Sequence, residues 1–266
     1  MLEVHNLKTV FSLGKTNVVA VNDVSFQVGK NEFVGVVGES GSGKSVTMLS
    51  VMDLLPQNGF VKSGKVLWEG TDLFALTSHE RRRFTVARMG LIFQNPMAAL
   101  NPVFTVGNQM VETISLHQDV SYDEAKKIAI DLLDRVRIDS PKSRFDHYPH
   151  QFSLGMCQRI MIAITLAMQP KLLIADEPTA SLDVTIQAQI LDLLTELQKE
   201  YQMSILMISH DMAVIAEFCE RLYVMNKGCV VESGTPDDIF NRPQDPYTQT
   251  LISSIPMMRY LNKMDS

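Results

Sequence analysis

The segment Phe33–Ser45, FVGVVGESGSGKS, decides the fold. It opens with an apolar run that ends at Gly38, as expected for a strand that is buried on both faces of a parallel sheet. The residues Gly38–Ser45 match the pattern G-x-x-x-x-G-K-[ST] in full, and a helical pattern follows from Lys44 to about Leu55. Glycines in such a turn bring backbone N–H groups close to oxygen atoms, and the N-terminus of the next helix favours negative charge. The segment therefore predicts a phosphate-binding loop between a strand and a helix.

The residue types in this loop predict a nucleoside triphosphate with Mg²⁺ as the ligand. Lys44 would place a positive charge on the β- and γ-phosphates, and the Ser45 hydroxyl is a predicted Mg²⁺ ligand. The predicted nucleotide-binding residues of the loop are Gly38, Ser40, Gly41, Ser42, Gly43, Lys44, Ser45 and Val46.

Two further apolar runs end in polar side chains that fit the chemistry of ATP hydrolysis. Asp176 ends the run LLIAD, at the strand edge where parallel sheets bind ligands, and is predicted to reach Mg²⁺ directly or through water. Glu177 follows it and is predicted to act as the base that polarises an attacking water. His210 follows the run SILMIS and is predicted to be catalytic at an equivalent strand end. The alternative for each residue is an ordinary solvated side chain.

The order of the elements predicts an α/β fold. Strand and helix patterns alternate on both sides of a helical segment, which is typical of an open and mainly parallel sheet. The sequence GKVLWEGTDLFAL has the character of a β-hairpin, and Ser121 with Glu124 forms the pattern of a capping box at the start of a helix. The basic run Arg81–Arg83 is either a solvated helix face or a contact with an anion or a partner.

Composition limits the classes of function. The chain has 266 residues and a formal net charge of −6, which argues against a nucleic-acid surface. The three cysteines Cys157, Cys219 and Cys229 lack a metal-ligand spacing and fit reduced thiols in the cytosol. The N-terminus has no leader pattern, and no apolar run reaches the ~18 residues of a membrane span. We therefore expect a protein that stays inside the cell and reaches a membrane only through a partner.

Taken in chain order, the motifs resemble the nucleotide-binding subunit of an ATP-binding cassette (ABC) transporter over nearly the whole chain. FQNP is similar to the glutamine loop of that family, FSLGMCQR to its signature motif, SLD at 181–183 to its dimer-contact loop and ISHD to its switch-histidine segment. The resemblance implies that Gln94 touches Mg²⁺ and that Ser153 and Gly155 contact nucleotide. It also implies that Phe11 stacks on adenine, the alternative being a core side chain at a strand end.

The resemblance also implies the fold and its division. The expected fold is a P-loop ATPase core with a mainly parallel sheet, an antiparallel β subdomain and an inserted α-helical subdomain. We expect an ABC ATPase domain over residues 1–244, with the helical subdomain at about 95–165, and a short C-terminal appendage over 245–266.

Partners follow from the same resemblance. ATP would lie between two ATP-binding subunits, against the phosphate loop of one and the signature motif of the other. Two membrane-spanning permease subunits and an extracytoplasmic substrate-binding protein would complete the importer, with this chain peripheral at the cytoplasmic face of the cell membrane and no nucleic acid involved. The alternative is a soluble ABC-type ATPase that does not act in transport.

Longer stretches, including IFQNPMAALNP and GTPDDIFNRPQDPYTQTLISSIP, resemble the oligopeptide/dipeptide/nickel importer group. Some members of that group carry clustered cysteines in a further C-terminal stretch. The chain stops about where that stretch would begin, so we expect no iron–sulfur extension. Peptides and nickel or metal complexes are the expected substrate classes.

The signature motif departs from the family pattern at one position. Two adjacent glycines usually follow the serine, whereas this chain has Ser153-Leu154-Gly155. Leucine keeps its backbone N–H and is a good helix former, so with helical angles it removes no donor. It adds bulk where close approach to a nucleotide matters. We expect a weakened contact with the partner's ATP, which suits a pair of unlike ATP-binding subunits.

Overall fold

The computed structural model describes residues 1–180 and 182–255. These residues form ten β-strands and eleven α-helices. The strands are β1 (Leu2–Leu13), β2 (Thr16–Val28), β3 (Phe33–Val37), β4 (Gly59–Trp68), β5 (Thr71–Asp72), β6 (Met89–Ile92), β7 (Leu172–Asp176), β8 (Ser204–Ser209), β9 (Arg221–Asn226) and β10 (Cys229–Gly234). The helices are α1 (Lys44–Val51), α2 (Ser78–Val86), α3 (Pro96–Ala99), α4 (Val106–His117), α5 (Tyr122–Arg135), α6 (Pro141–Arg144), α7 (Leu154–Ala167), α8 (Val184–Tyr201), α9 (Met212–Phe218), α10 (Pro236–Asn241) and α11 (Pro246–Ser253).

The chain divides into two compact units. Among the described residues, the first unit comprises 1–85 and 204–255, and the second comprises 86–180 and 182–203. The predicted boundaries at residues 95, 165 and 244 stay predictions.

An antiparallel sheet in the first unit has the strand order β2-β1-β4-β5. The predicted hairpin is present, since Leu67 pairs with Asp72 and Trp68 with Thr71. Glu69 and Gly70 form its two-residue turn with φ angles of 49° and 85°, as hairpin turns that match the twist of the strands require. This sheet fulfils the expectation of an antiparallel β subdomain.

The other strands of the first unit surround β3, which pairs in parallel with both β8 and β9. Every residue of β3 is buried, which explains why its sequence is apolar without alternation. Strand β10 adds antiparallel to β9. The expected mainly parallel sheet is confirmed for β3, β8 and β9, and the structure adds β10 as an antiparallel neighbour of β9.

Helix α1 begins at Lys44 as predicted, but it ends at Val51 and not at about Leu55. Asp53 adopts a left-handed φ of 60°, and the Leu54 N–H donates to the carbonyl of Leu49 at 2.8 Å. This is the hydrogen bond that closes a Schellman-type C-terminus. The predicted end was wrong because Asp53 adopts the left-handed conformation after the helix, which is usually adopted by glycine and is therefore usually recognised from a glycine in the sequence.

The second unit pairs β6 and β7 in parallel, from Met89 opposite Leu172 to Ile92 opposite Ala175. The helices α3–α8 belong to the same unit. The capping box of α5 is confirmed, since the Ser121 N–H donates to Glu124 and the Glu124 N–H donates to the Ser121 hydroxyl. In the described part of the chain, no helix combines the length and apolar composition needed to cross a bilayer.

Candidate functional site

The phosphate loop is a tight turn in which the backbone approaches its neighbours closely. Gly43 precedes α1 with a φ of 102°, and a Cβ atom there would lie 2.8 Å from the Ala20 carbonyl oxygen. A Cβ atom on Gly38 would lie 2.2 Å from the carbonyl oxygen of Met225. Both positions therefore exclude any residue with a side chain.

The donors of the loop suit a phosphate group. Lys44 is only 5% exposed, and its Nζ donates to the carbonyl oxygens of Gly38 at 2.7 Å and Glu39 at 2.9 Å. The Ser42 hydroxyl is buried and makes no hydrogen bond within the described residues. Gly43 provides no side-chain cap, and the first N–H groups of a helix have no partner within the helix. A buried ammonium, an unsatisfied hydroxyl and a helix N-terminus fit an anionic ligand with several oxygen atoms.

Two contacts from distant parts of the sequence support the loop. The Gly228 N–H, in the turn between β9 and β10, donates to the Ser42 carbonyl at 2.9 Å. The Glu39 N–H donates to the Tyr247 hydroxyl at 3.0 Å. Sequence reasoning missed both residues, since the motif ends at Ser45 and carries no signal about its supports.

His210 follows directly after β8 and is exposed. Val37 pairs with Ser209 in parallel register, so Gly38 and His210 both leave the sheet at the same edge. The structure thus places the predicted histidine at the strand edge that carries the phosphate loop. Its catalytic role stays a prediction.

In the second unit, the structure brings two predicted residues together. Ile92 pairs with Ala175, so the segments after β6 and β7 emerge side by side. The Gln94 Nε2 donates to the Glu177 Oε2 at 2.9 Å. Asp176, the last residue of β7, is half-buried and directly precedes Glu177. The glutamine and the two carboxylates form a compact polar edge with acceptors for water or a cation.

Glu177 has a left-handed backbone, with a φ of 47°. Such a conformation costs a residue with a side chain about 1–3 kcal/mol, and it concentrates at functional sites. The Glu177 carbonyl accepts the Ala180 N–H at 3.2 Å, which closes the turn after β7. The turn keeps the carboxylate half-buried beside Gln94.

The signature segment begins α7. Ser153 is the N-cap, exposed, and its hydroxyl accepts the Met156 N–H at 3.3 Å. Leu154 is the first helical residue and is half-buried. Because its backbone is helical, Leu154 removes no backbone N–H donor from the start of α7, as expected from the sequence. A Cβ atom on Gly155 would lie 2.9 Å from the Ile186 Cγ2, which favours glycine where α7 approaches α8.

The dimer-contact stretch at 181–183 is described only in part. Ser181 lies outside the described residues. Asp183 is the N-cap of α8, and its carboxylate accepts the Ile186 N–H at 2.9 Å.

Phe11 lies near the end of β1 and is half-buried. Its ring covers Gly59, since a Cβ atom there would lie 2.9 Å from the Phe11 Cε1. Stacking on adenine stays a prediction for this residue.

The basic run lies on α2. Arg81 is largely covered and forms an ion pair with Asp53 at 2.9 Å, while Arg82 and Arg83 are exposed. The exposure of Arg82 and Arg83 fits both alternatives, a solvated helix face and a contact with an anion or a partner, and both stay predictions.

Comparison with known proteins gives consistent matches. The family described as ABC transporter matches residues 21–180, and the region described as Oligopeptide/dipeptide transporter, C-terminal region, matches residues 231–265. The dipeptide transport ATP-binding protein DppD of Haemophilus influenzae is 49% identical over 96% of this chain and 78% of that protein. The oligopeptide transport ATP-binding protein OppD of Bacillus subtilis is 47% identical over 97% of this chain and 72% of that protein.

Solved structures share the fold. The dimeric post-hydrolysis state of the ATP-binding cassette MJ0796, bound to ADP and Pi, has a TM-score of 0.79 and 26% identity over 89% of this chain and 99% of that chain. The protein cbiO1 of Clostridium perfringens, part of the ABC transporter complex cbiONQ, has a TM-score of 0.78 and 26% identity over 98% of both chains.

Proposed function

Since the chain belongs to the ABC transporter family, which matches more than half of its length, we propose that it hydrolyses ATP to energise a membrane importer of peptides. The observation that carries this proposal is the phosphate loop, in which a buried lysine, a buried hydroxyl and a helix N-terminus meet. Family membership was predicted from the motifs and is confirmed.

Each predicted residue receives a role in the proposed reaction. Lys44 binds the β- and γ-phosphates, while Ser45, Gln94 and Asp176 are the proposed Mg²⁺ ligands. Bound Mg²⁺ would neutralise phosphate charge during transfer to water. Ser42 would bind phosphate through its buried hydroxyl. The remaining loop residues would bind phosphate through backbone N–H groups; they are Gly38, Ser40, Gly41, Gly43 and Val46.

Glu177 is the proposed general base. Its Oε2 accepts a hydrogen bond from Gln94, so the amide orients the carboxylate. A carboxylate held in this way can orient a water molecule and accept its proton. His210 is the second proposed catalytic residue, and Phe11 is the proposed adenine contact.

The proposed assembly has two ATP-binding subunits, two permease subunits and an extracytoplasmic binding protein. The dimeric cassette MJ0796 supports the pairing of two ATP-binding chains. The named relatives are dipeptide and oligopeptide transport proteins, which supports peptides over nickel complexes as the cargo. We place the chain at the cytoplasmic face of the cell membrane, held there by the permease subunits.

Leu154 points to two unlike ATP-binding subunits. Ser153 and Gly155 are proposed to contact the ATP on the partner's phosphate loop, with Leu154 adding bulk at that contact. The chain's own Lys44, Asp176 and Glu177 match the family motifs in full. The weakened site is therefore the one built on the partner's loop.

The experiment that tests this function is purification of the tagged chain from its native membrane. We expect permease subunits to co-purify and the ATPase rate of the complex to rise when the binding protein carries a peptide. An active ATPase that purifies without any membrane protein would support the soluble alternative and contradict the importer.

A further inference from the structure

Tyr247 connects the C-terminal helix α11 to the phosphate loop. Its hydroxyl accepts the Glu39 N–H at 3.0 Å, although the two residues are 208 positions apart. Both residues belong to the first unit. Partial burial raises the pKa of Tyr247, so the hydroxyl stays uncharged at neutral pH. The donor is the second residue of the loop motif, so α11 contacts the binding loop itself.

The peptide group between Gly38 and Glu39 is held from both ends. Its N–H donates to Tyr247, and its carbonyl oxygen accepts the Lys44 Nζ at 2.7 Å. Because a peptide group is planar, fixing the N–H also fixes the direction of the carbonyl that receives the ammonium. Hydrogen bonds in such a chain polarise one another. Tyr247 thereby helps to define where the Lys44 ammonium rests.

The carbonyl group of Glu39, the residue whose N–H donates to Tyr247, also supports the loop. The Glu39 oxygen accepts the Lys44 Nζ at 2.9 Å and the Ser42 N–H at 3.2 Å. Movement of Glu39 would thus displace both the lysine and the turn that leads to the buried Ser42 hydroxyl.

Helix α11 is anchored firmly enough to position Tyr247. The Glu232 carboxylate of β10 accepts the N–H groups of Gln244 at 2.8 Å and Asp245 at 3.1 Å. Asp245 caps α11 by accepting the Tyr247 N–H at 2.8 Å, and Thr248 is fully buried. These contacts hold the start of α11, and with it the backbone of Tyr247, beside β10.

We propose that Tyr247 is a positioning residue for the phosphate loop and that docking of α11 is energetically coupled to nucleotide binding. The inference rests on the proposed function, in which this loop binds ATP. Without the hydroxyl, the Glu39 N–H must find water and the loop samples additional conformations. Affinity falls in proportion to the population of the competent conformation.

The coupling is reciprocal. If docked α11 favours bound nucleotide, then bound nucleotide must favour docked α11 by the same factor. This gives a function to part of the C-terminal region that matches residues 231–265 of the chain.

The test compares Tyr247→Phe with Tyr223→Phe in the full chain. Tyr223 is a matched control, because its buried hydroxyl accepts a backbone N–H from Gln27 at 3.1 Å, outside the loop. Calorimetric titration with ADP and with ATP should show affinity about 2- to 10-fold weaker for Tyr247→Phe, the range that one hydrogen bond contributes. Tyr223→Phe should bind like the wild type.

Hydrogen exchange of individual amides distinguishes the loss of one hydrogen bond at Glu39 from a general loss of packing. Tyr247→Phe should speed exchange at the Glu39 amide, and ATP should slow exchange in residues 246–253 of the wild type. Unchanged affinity in Tyr247→Phe would overturn the proposal. If Tyr247→Phe unfolds at a lower Tm, hydrogen exchange in the wild type becomes the deciding measurement. An absence of ATP-induced protection in α11 of the wild type would overturn the coupling.

Failure of the proposed function gives a different result. If the loop is not an ATP site at all, the wild-type chain itself binds neither ATP nor ADP; if the chain is a soluble ATPase and not an importer subunit, the wild type still binds nucleotide and no permease subunits co-purify with it. The positioning role fails alone when the wild type binds nucleotide and Tyr247→Phe binds it equally well.

Discussion

The phosphate loop and the signature segment are both helix N-termini, but they are built differently. Helix α1 starts after Gly43, which offers no side-chain cap, and its lysine and Ser42 hydroxyl are buried. Helix α7 starts after the exposed Ser153, whose hydroxyl already accepts an N–H of its own helix. The first helix N-terminus is thus proposed to bind a nucleotide of this chain, whereas the second carries a side-chain cap with an exposed hydroxyl and is proposed to contact the nucleotide of a partner.

The difference locates the effect of Leu154. We expect a change at Leu154 to leave intact both the phosphate loop and the hydrogen bond between Gln94 and Glu177 of this chain, since none of these groups belongs to the signature segment. Substitutions in each of the two regions should therefore have separable effects on ATP binding and on ATP hydrolysis.

Glu177→Gln should reduce ATP hydrolysis in the assembled complex by about 100- to 10,000-fold, which is the range for a general base. ATP binding should persist, because the amide oxygen can still accept from Gln94. Steady-state phosphate release and equilibrium ATP binding measure the two effects. Full hydrolysis in this variant would remove Glu177 as the base.

Lys44→Ala should weaken ATP binding by about 10- to 100-fold, since a hydrogen bond to a charged group contributes ~1.5–3 kcal/mol. The exposed Lys15 offers a control, and Lys15→Ala should bind ATP normally. Equal affinity in both variants would contradict the assignment of the loop.

Leu154→Gly should raise the ATPase rate of the assembled complex by about 2- to 5-fold, as expected if one contact with the partner's nucleotide is strengthened. ATP affinity of the isolated chain should not change. Tyr122→Gly is the matched control, because Tyr122 also follows a serine N-cap at the first position of a helix. If ATPase and transport are unaffected by Leu154→Gly, the weakening hypothesis is wrong.

Ser121→Ala and Ser153→Ala compare the two serine caps. Each should lower the free energy of unfolding by about 1 kcal/mol, the usual contribution of a serine cap. Only Ser153→Ala should also lower the ATPase rate of the assembled complex. Equal ATPase rates would contradict a ligand contact at Ser153; denaturant unfolding measures stability.

The Ser121 cap also has a pH dependence with a definite sign. Hydrogen bonds from Ser121 lower the pKa of Glu124, so the carboxylate favours the folded state. That stabilisation is present above the usual pKa of 4.5 and is lost as the pH falls through the lowered value. The stability difference between wild type and Ser121→Ala should therefore shrink in acid.

Local signals made much of the fold predictable. The apolar run of β3, the start of α1 at Lys44 and the capping box at Ser121 each depend on residues within a few positions. The end of α1 was not predictable, because Asp53 adopts a conformation that glycine usually signals.

The hydrogen bonds that support the candidate site could not be predicted from short stretches of sequence. Gln94 and Glu177 were each predicted, but their hydrogen bond joins residues 83 positions apart. Tyr247 lies in DPYT, which by itself predicts only a helix start. Only the folded chain brings its hydroxyl to Glu39.

ATP-driven peptide uptake by proteoliposomes that contain the complete transporter tests directly whether this chain energises peptide import. With wild-type chain, a labelled dipeptide or oligopeptide should accumulate only with Mg²⁺ and ATP, and Glu177→Gln should abolish accumulation. Peptide uptake that continues with Glu177→Gln would contradict the role of this chain as the hydrolysing subunit, and uptake of nickel without any uptake of peptide would contradict a peptide importer.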